Sequence, residues 1–243
     1  MTALQALREL NSAATSNSGA NYIGLTQDFN LIRYATAPVE TDSAWYPSLK
    51  RGFDVIASAL LLIALSPLML IVAIAIRLES KGPVFFCQTR CGLHGKHFDF
   101  FKFRSMVVDA EAKKANLSAQ SDQKCLRFKM AQDPRITRVG AFIRKYSLDE
   151  LPQLLNVLRG DMSLVGPRPP IPSEVAQYTL YHHRRLAVTP GITCTWQVGG
   201  RSDIEFEQQV DLDIAYIRTR SFWQDLMILL RTPLAVITAR GAY

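Results

Sequence analysis

Two adjacent carboxylates, Asp149 and Glu150, are the residues of this chain whose type and spacing most directly suggest chemistry. Leucines follow them at helical spacing, and Pro152 fits best in the first turn of that helix, where its missing N–H is tolerated. The free N–H groups and the dipole of a helix N-terminus favour anions, so an acid pair there can serve a phosphoryl-transfer site. The alternative is an N-cap followed by an ordinary first-turn acid.

Cationic side chains surround the acid pair in the sequence. They are Arg135, Arg138, Arg144, Lys145, Arg159 and Arg168. Guanidinium groups bind phosphate oxygens in pairs, and the prolines around Arg168 present that side chain from a rigid turn. Adjacent carboxylates also need a cation to offset their repulsion. Mg²⁺ is the natural candidate because it takes oxygen ligands and shares them with substrate phosphates.

The element that must position this chemistry is a run of 22 uncharged residues from Val55 to Ile76. As a straight helix it would span ~33 Å, against ~30 Å for the hydrocarbon core of a bilayer. Pro67 lacks an N–H for the carbonyl of Ile63 and should kink the helix, while the Ser66 hydroxyl can satisfy that carbonyl. Both flanks are basic, so the run has no preferred direction. A kinked span and a re-entrant helix that returns to the same face remain equally compatible with these residues.

Charged residues stand at the start of the apolar run. Asp54 follows Lys50 and Arg51 by four and three residues, which places the three side chains on one helical face. A charge at that depth is costly unless it is paired. The sequence therefore predicts an ion pair between Asp54 and either base.

The whole chain is predicted as an α/β fold that is mostly helical, with a few short strands. Residues 1–47 are expected to form a flexible tail, residues 48–78 the membrane helix, and residues 79–243 a cytosolic, membrane-associated catalytic domain. Glycines 92 and 95 predict a hairpin turn, and residues 107–130 a polar helix. Residues 206–217 carry a helical apolar stripe after a capping box at Ser202. Residues 222–230 fit an interfacial helix or a core helix equally well.

The net charge of +7, from 28 Lys and Arg against 21 Asp and Glu, suits nucleic acid, anionic lipid headgroups or phosphate-bearing substrates. The aromatic and basic segment from Phe85 to Arg104 can stack on single-stranded nucleic acid or lie on a headgroup layer. No recognisable nucleic-acid-binding motif accompanies it, so nucleic acid is not an expected partner.

The chain resembles the monotopic phosphoglycosyl transferases, bacterial sugar transferases that initiate exopolysaccharide, capsule and glycan assembly. The resemblance covers about residues 48 to 240, with the motifs in the same order and at the same spacing. The matching motifs are Lys50-Arg51 with Asp54, Ser66-Pro67, GPVFF with Gln88 and Arg90, KFRSM, SLDELPQL, GDMSLVGPRP, and PGIT with WQVGGR. Cys194 departs from the pattern, since family members often have glycine there.

The resemblance implies a re-entrant helix broken at Ser66-Pro67 and confined to one leaflet. It implies that Asp149 attacks the β-phosphate of a UDP-sugar, releases UMP and carries the phosphosugar until polyprenyl (undecaprenyl) phosphate accepts it. Glu150 would ligate Mg²⁺, and Arg144 and Arg168 would bind substrate phosphates. Galactose and glucose are the leading expectations for the sugar, with an N-acetylated amino sugar as an alternative.

The expected location is the cytosolic face of the bacterial inner membrane, in contact with lipid. A competing interpretation is a non-catalytic membrane scaffold that recruits glycan-assembly machinery. The intact pair Asp149-Glu150 favours the enzyme, because a scaffold needs neither carboxylate. The oligomeric state stays open, a homodimer included.

Overall fold

The computed structural model describes residues 44–110, 133–200 and 204–238. Most of the described chain is helical, and its few strands are short, as the sequence predicts. In chain order the elements are α1 (Tyr46–Glu79), β1 (Phe85–Cys91), β2 (His97–Phe103), α2 (Arg138–Lys145), α3 (Leu154–Arg159), β3 (Ser163–Val165), α4 (Pro172–Val175), α5 (Leu180–His183), β4 (Gly191–Thr193), α6 (Thr195–Gly199), α7 (Phe206–Thr219) and α8 (Phe222–Thr238). Short 3₁₀ helices cover Leu93–Gly95, Leu148–Gln153 and Arg184–Ala187.

Helix α1 is longer and more regular than predicted. It begins at Tyr46, inside the predicted tail, and continues without interruption through Pro67 to Glu79. The Ser66 hydroxyl donates to the carbonyl of Ile63 at 2.8 Å, which is the bond predicted from the sequence. Because this bond satisfies the carbonyl that Pro67 leaves free, the helical structure continues through Ser66-Pro67, and the predicted re-entrant course at this point stays a prediction.

Much of α1 presents apolar side chains to the outside. It is long and apolar enough to cross a membrane, and 11% of its most apolar stretch is buried in the protein. In α8, Trp223 and Leu230 are 72% and 66% exposed, so the interfacial alternative describes this helix better than a core helix does. Two neighbouring apolar surfaces of this kind indicate a protein that contacts lipid.

The start of α1 is held by other elements. Lys50 lies 2.6 Å from Asp225 in α8, and Arg51 donates to two backbone carbonyls at the end of α3. The Asp54 carboxylate accepts the backbone N–H of Leu164 in β3 at 3.1 Å. The predicted ion pair of Asp54 with Lys50 or Arg51 is therefore replaced by bonds to three different elements, because partners from distant parts of the chain reach these groups.

The end of α1 is held as well. The Glu79 carboxylate accepts the backbone N–H groups of Arg138 and Val139, at 2.8 and 3.1 Å, at the first turn of α2. Arg104, just after β2, donates to the carbonyl of Ser80 at 2.8 Å and so stabilises the negative end of the helix dipole. Both ends of the apolar helix thus bind the same folded domain.

Strands β1 and β2 form the predicted antiparallel hairpin, in register from Phe85↔Phe103 to Cys91↔His97. Asn156 of α3 fixes this hairpin to the helix that follows the acid pair. Its amide nitrogen donates to the carbonyl of Asp99 at 2.6 Å, and its amide oxygen accepts the N–H of Phe101 at 3.2 Å. The side chain is fully buried.

Strands β3 and β4 pair in parallel, an element that the sequence does not predict. At this pair Gly166 and Gly191 approach each other so closely that a Cβ on Gly191 would lie 2.0 Å from the backbone nitrogen of Gly166. This close approach requires glycine, and it fixes the start of the turn that carries Arg168.

Two buried clusters hold the domain together. The larger consists of Phe100, Leu154, Val157, Met162, Leu164, Val165, Val188, Tyr216, Ile217 and Ile228. The smaller consists of Val72, Ile76, Phe103 and Ile143, and joins the second half of α1 to β2 and α2. The stripe predicted from the sequence is confirmed, since Val210, Ile214 and Ile217 of α7 are buried.

Several predictions fall on other parts of the chain. Residues 1–43 of the expected tail, most of the predicted polar helix at 107–130, and Ser202 lie outside the described residues.

We expect Asn156→Ala to reduce the free energy of unfolding by roughly 1–3 kcal/mol, because it removes a buried amide and its two hydrogen bonds to a partly buried N–H and carbonyl of β2. Thermal unfolding in detergent measures the change. Gln177→Ala, which removes an exposed amide that bonds within its own helical turn, is the matched control and should have little effect. An equally small effect of Asn156→Ala would contradict the assigned role.

Candidate active site

The acid pair lies in the first turn of the 3₁₀ helix Leu148–Gln153, directly before α3. Ser147 precedes it with a φ of 52°, a left-handed conformation that is uncommon for a residue other than glycine. The chain therefore turns sharply between α2 and the acid pair. Pro152 lies inside the 3₁₀ segment, ahead of the α-helix, in agreement with a helix start near Asp149.

Lys102, at the end of β2, neutralises both acids. Its ammonium lies 2.8 Å from Oε1 of Glu150 and 3.6 Å from Oδ2 of Asp149. The Asp149 residue is 7% exposed, and the Lys102 and Glu150 side chains are 17% and 19% exposed. At this burial a carboxylate pair is stable only with a cation close by.

The two carboxyl groups differ in their electrostatic surroundings. Burial raises the pKa of Asp149, with Glu150 adding to the rise and Lys102 and Arg144 opposing it. Burial acts on Glu150 in the same direction, but Lys102 and Arg168 outweigh it and lower the pKa of Glu150 below its ordinary value. Arg144 thus acts on Asp149, and Arg168 on Glu150.

The ring of Phe100 contacts both Lys102 and a second cation, Arg90. The Arg90 guanidinium lies 5.0 Å, and the Lys102 ammonium 5.4 Å, from the ring centroid of Phe100. Arg90 also donates to the carbonyl of Pro169 at 3.0 Å. It therefore ties the turn that carries Arg168 to the hairpin that carries Lys102.

The structure separates the predicted cations into two groups. Arg144 and Arg168 act electrostatically on the acid pair. Arg135 binds Asp133 through two nitrogens. The Arg159 guanidinium lies 4.7 Å from the ring centroid of Phe101, and Phe101 is on the face of β2 opposite to Lys102. Arg138 lies at the start of α2, and Lys145 is exposed at its end.

Lys102 and Arg90 were absent from the site predicted from the sequence. Side chains alternate between the two faces of β2, and this alternation places Phe98, Phe100 and Lys102 on one face. That face packs on the segment that carries Asp149, but the sequence alone does not show this contact.

The donor set suits Mg²⁺. Within the described ranges, no group of three or more His, Cys, Asp and Glu side chains could hold a metal ion by itself. Mg²⁺ is often bound by one or two carboxylates together with waters and substrate phosphates, which matches Asp149 and Glu150. Glu150, with its lowered pKa, is the more readily ionised of the two.

Residues 45–239 match the model of the bacterial sugar transferase family. The chain belongs to this family. The match includes every element described above and the whole acid-pair region, and it agrees with the resemblance found from the sequence motifs.

Individual relatives carry more specific names. The chain is 49% identical over 165 residues to "Galactosyl transferase CpsE" of Streptococcus agalactiae, which covers 68% of this chain and 37% of that protein. It is 45% identical over 212 residues to "Undecaprenyl-phosphate glucose phosphotransferase" of Komagataeibacter xylinus, covering 83% and 38%. It is 41% identical over 199 residues to "Exopolysaccharide production protein ExoY" of Sinorhizobium fredii, covering 80% and 88%. The aligned part is thus less than half of the first two relatives and most of the third.

We expect Lys102→Gln to destabilise the protein by roughly 1.5–3 kcal/mol at pH 8, because a buried and a mostly buried carboxylate lose their common cation. Without Lys102 the folded-state pKa of both carboxyl groups rises, so the penalty is full only above these raised folded-state pKa values and disappears as pH falls and the carboxyl groups protonate. The difference in thermal unfolding between variant and parent should therefore be smaller at pH 5 than at pH 8. Lys96→Gln, at an exposed position of the same hairpin, is the control. A deficit that does not change with pH would show that Lys102 does not act through the carboxylates.

Proposed function

We propose that this protein transfers a sugar-1-phosphate from a UDP-sugar to polyprenyl (undecaprenyl) phosphate, through a phosphosugar carried on Asp149. The observation that carries the proposal is the acid pair itself, in which two adjacent carboxylates have different electrostatic surroundings. Glu150 is held as an anion by Lys102 and Arg168, whereas Asp149 lies 3.6 Å from the ammonium and has a raised pKa. A carboxylate of higher pKa is the stronger nucleophile once it is ionised.

The proposed reaction has two steps at one phosphorus atom. An Asp149 oxygen attacks the β-phosphorus of the UDP-sugar, the bond from that phosphorus to the bridging oxygen breaks, and UMP leaves with the electron pair. An oxygen of polyprenyl phosphate then attacks the same phosphorus and releases the Asp149 carboxylate. The products are UMP and polyprenyl diphosphate sugar, and no oxidant or reductant is needed.

The cationic side chains have distinct parts in this scheme. Arg144 acts electrostatically on Asp149 and Arg168 on Glu150, so both guanidinium groups would bind phosphate oxygens of a diphosphate held at the acid pair. Lys102 favours the ionised form of both carboxylates by lowering the pKa of each. Mg²⁺ held by Glu150 would supply positive charge to the diphosphate and its leaving group.

The same proposal includes a re-entrant course for α1. Arg51 and Glu79 are 28 positions apart in the helix, about 42 Å in a straight one, yet both bind elements of one domain. A spanning helix would leave Glu79 on the far side of a hydrocarbon core of ~30 Å, away from α2. A helix that bends near Pro67 and returns to the cytosolic face is consistent with both sets of bonds.

The names of the relatives support the substrate classes. They include a galactosyl transferase, an undecaprenyl-phosphate glucose phosphotransferase and an exopolysaccharide production protein. We therefore propose galactose or glucose as the sugar, the first step of exopolysaccharide or capsule repeat-unit synthesis as the role, and the cytosolic face of the inner membrane as the place. A domain that exposes apolar helices beside a polar acid pair can meet a lipid-borne acceptor and a soluble donor at one site.

We expect Asp149→Asn to abolish UMP release, because an amide of nearly the same volume cannot act as the nucleophile. The assay uses the purified full chain with Mg²⁺, polyprenyl phosphate and a panel of UDP-galactose, UDP-glucose and UDP-N-acetylglucosamine. Membrane association should be unchanged. Full activity of Asp149→Asn would reject the assigned nucleophile, and folded parent protein that is silent with every donor would favour the scaffold.

Glu150→Gln should lower the rate by at least about 10²-fold and raise the Mg²⁺ concentration needed for half-maximal activity, since it removes one charged ligand. Asp161→Asn, a change of an acid outside the site, is the matched control. A parental Mg²⁺ dependence of Glu150→Gln would contradict the metal-binding role.

For the topology we expect cysteines at Ser48 and Lys81, at either end of α1, to be labelled from the same side of sealed membranes. The protein would lack its four native cysteines, and the reagent would be a membrane-impermeant maleimide. Pro67→Leu should straighten the helix and protect one position from labelling. Labelling of the two positions from opposite sides in the parent would refute the re-entrant course.

A further inference from the structure

A cavity of about 150 Å³ lies where α1 and α8 begin, separate from the acid pair. It is lined by residues from the start of α1, from the segment around β3, from residues 188 and 189, and from the end of α7. Asp149, Glu150, Lys102, Arg144 and Arg168 do not line it. The cavity is therefore not formed by the residues assigned to the transfer.

The charge of its lining is predominantly positive. Lys50, Arg51 and Arg220 line it, together with one carboxylate, Asp54. Lys50 is paired with Asp225 at 2.6 Å, so the cavity keeps a net positive charge even when that second carboxylate is included. The Asp54 carboxylate accepts the backbone N–H of Leu164 in β3, and this hydrogen bond offsets part of the negative charge of Asp54.

The guanidinium groups are held in place by the fold. Arg51 donates to the carbonyls of Val157 and Leu158 at 2.6 and 2.9 Å, which uses two of its five N–H donors. The Arg220 guanidinium lies 6.0 Å from the ring centroid of Tyr46. Tyr46 in turn donates to Asp225 at 2.8 Å. An anion entering the cavity would meet cations that are already oriented.

The position of the cavity selects the kind of anion. Lys50 and Arg51 directly precede the apolar run of α1, and Arg220 directly precedes α8, whose Trp223 is 72% exposed. Charges that flank two membrane-facing helices lie at the depth of lipid headgroups. Pro47, Arg51 and Gly160 are exposed, so the cavity opens to its surroundings. At about 150 Å³ it is smaller than the roughly 300–1,000 Å³ of pockets for whole small molecules, and suits a single phosphate group.

We propose that this cavity binds the phosphodiester headgroup of an anionic bilayer phospholipid, as a resident lipid site distinct from the acceptor site. The bound phosphate would link the starts of α1 and α8 at one depth. The polyprenyl phosphate acceptor carries similar chemistry, but neither carboxylate of the acid pair lines this cavity.

The test measures the affinity of the purified full chain in detergent for dihexanoyl phosphatidylglycerol, farnesyl phosphate and inorganic phosphate. Arg220→Gln should weaken binding of the phosphatidylglycerol about fivefold, the factor that corresponds to roughly 1 kcal/mol per basic residue near a headgroup. Arg220→Lys should retain most of the affinity. Arg218→Gln, which removes an exposed arginine two residues earlier, is the matched control and should bind as the parent does. Binding of farnesyl phosphate should not depend on Arg220.

Each other result overturns the proposal. Unchanged phosphatidylglycerol binding in Arg220→Gln would show that the cavity is not the binding site. An equal loss of affinity in Arg218→Gln would show that binding depends on general surface charge. Farnesyl phosphate binding that falls with Arg220 would assign the cavity to the carrier. Inorganic phosphate that binds as tightly as the lipid would make it a small-anion site. Should Arg220→Gln fail to fold, Thr189→Glu decides instead, because it adds a negative charge to the same lining and keeps the contact of Arg220 with Tyr46.

Discussion

Two neighbouring carboxylates with little exposure to solvent repel each other, and the arrangement of the domain offsets that repulsion with cations from separate segments. Lys102 comes from the hairpin, Arg144 from α2, and Arg168 from the turn after β3. Each segment is tied to another by a polar contact. Asn156 joins the hairpin to α3, Arg90 joins it to the Arg168 turn, and Glu79 joins α2 to the end of the apolar helix. The site and the membrane-facing surface therefore depend on one set of connections.

This connection suits the proposed function, in which one small domain serves a soluble and a lipid-borne substrate. Helix α1 is not an anchor attached to the domain at one point, because both of its ends bind that domain. Its second half packs through Val72 and Ile76 against Phe103 of the strand that also carries Lys102. Movement of the apolar helix relative to the acid pair would disturb that packing, which keeps the pair at a fixed position relative to that helix.

Features that depend on neighbouring residues could be predicted from the sequence. The start of the helix near Asp149 follows from Pro152 and the leucine spacing, and the Ser66 bond to Ile63 follows from the missing N–H of Pro67. Features that depend on distant residues could not. Lys102 and Glu150 are 48 positions apart, and Lys50 and Asp225 are 175 positions apart. Helical spacing suggested Asp54 as the partner of Lys50, but a carboxylate from α8 reaches that ammonium instead.

The most direct test of the account is intact-mass and peptide-mapping mass spectrometry of the protein after incubation with a donor UDP-sugar and Mg²⁺, without polyprenyl phosphate. The account predicts one added hexose phosphate on the peptide that contains Asp149, with UMP released in equal amount. Adding polyprenyl phosphate should remove the adduct. UMP release that requires both substrates at once with no adduct at any time, or an adduct on a residue other than Asp149, would contradict the proposed mechanism.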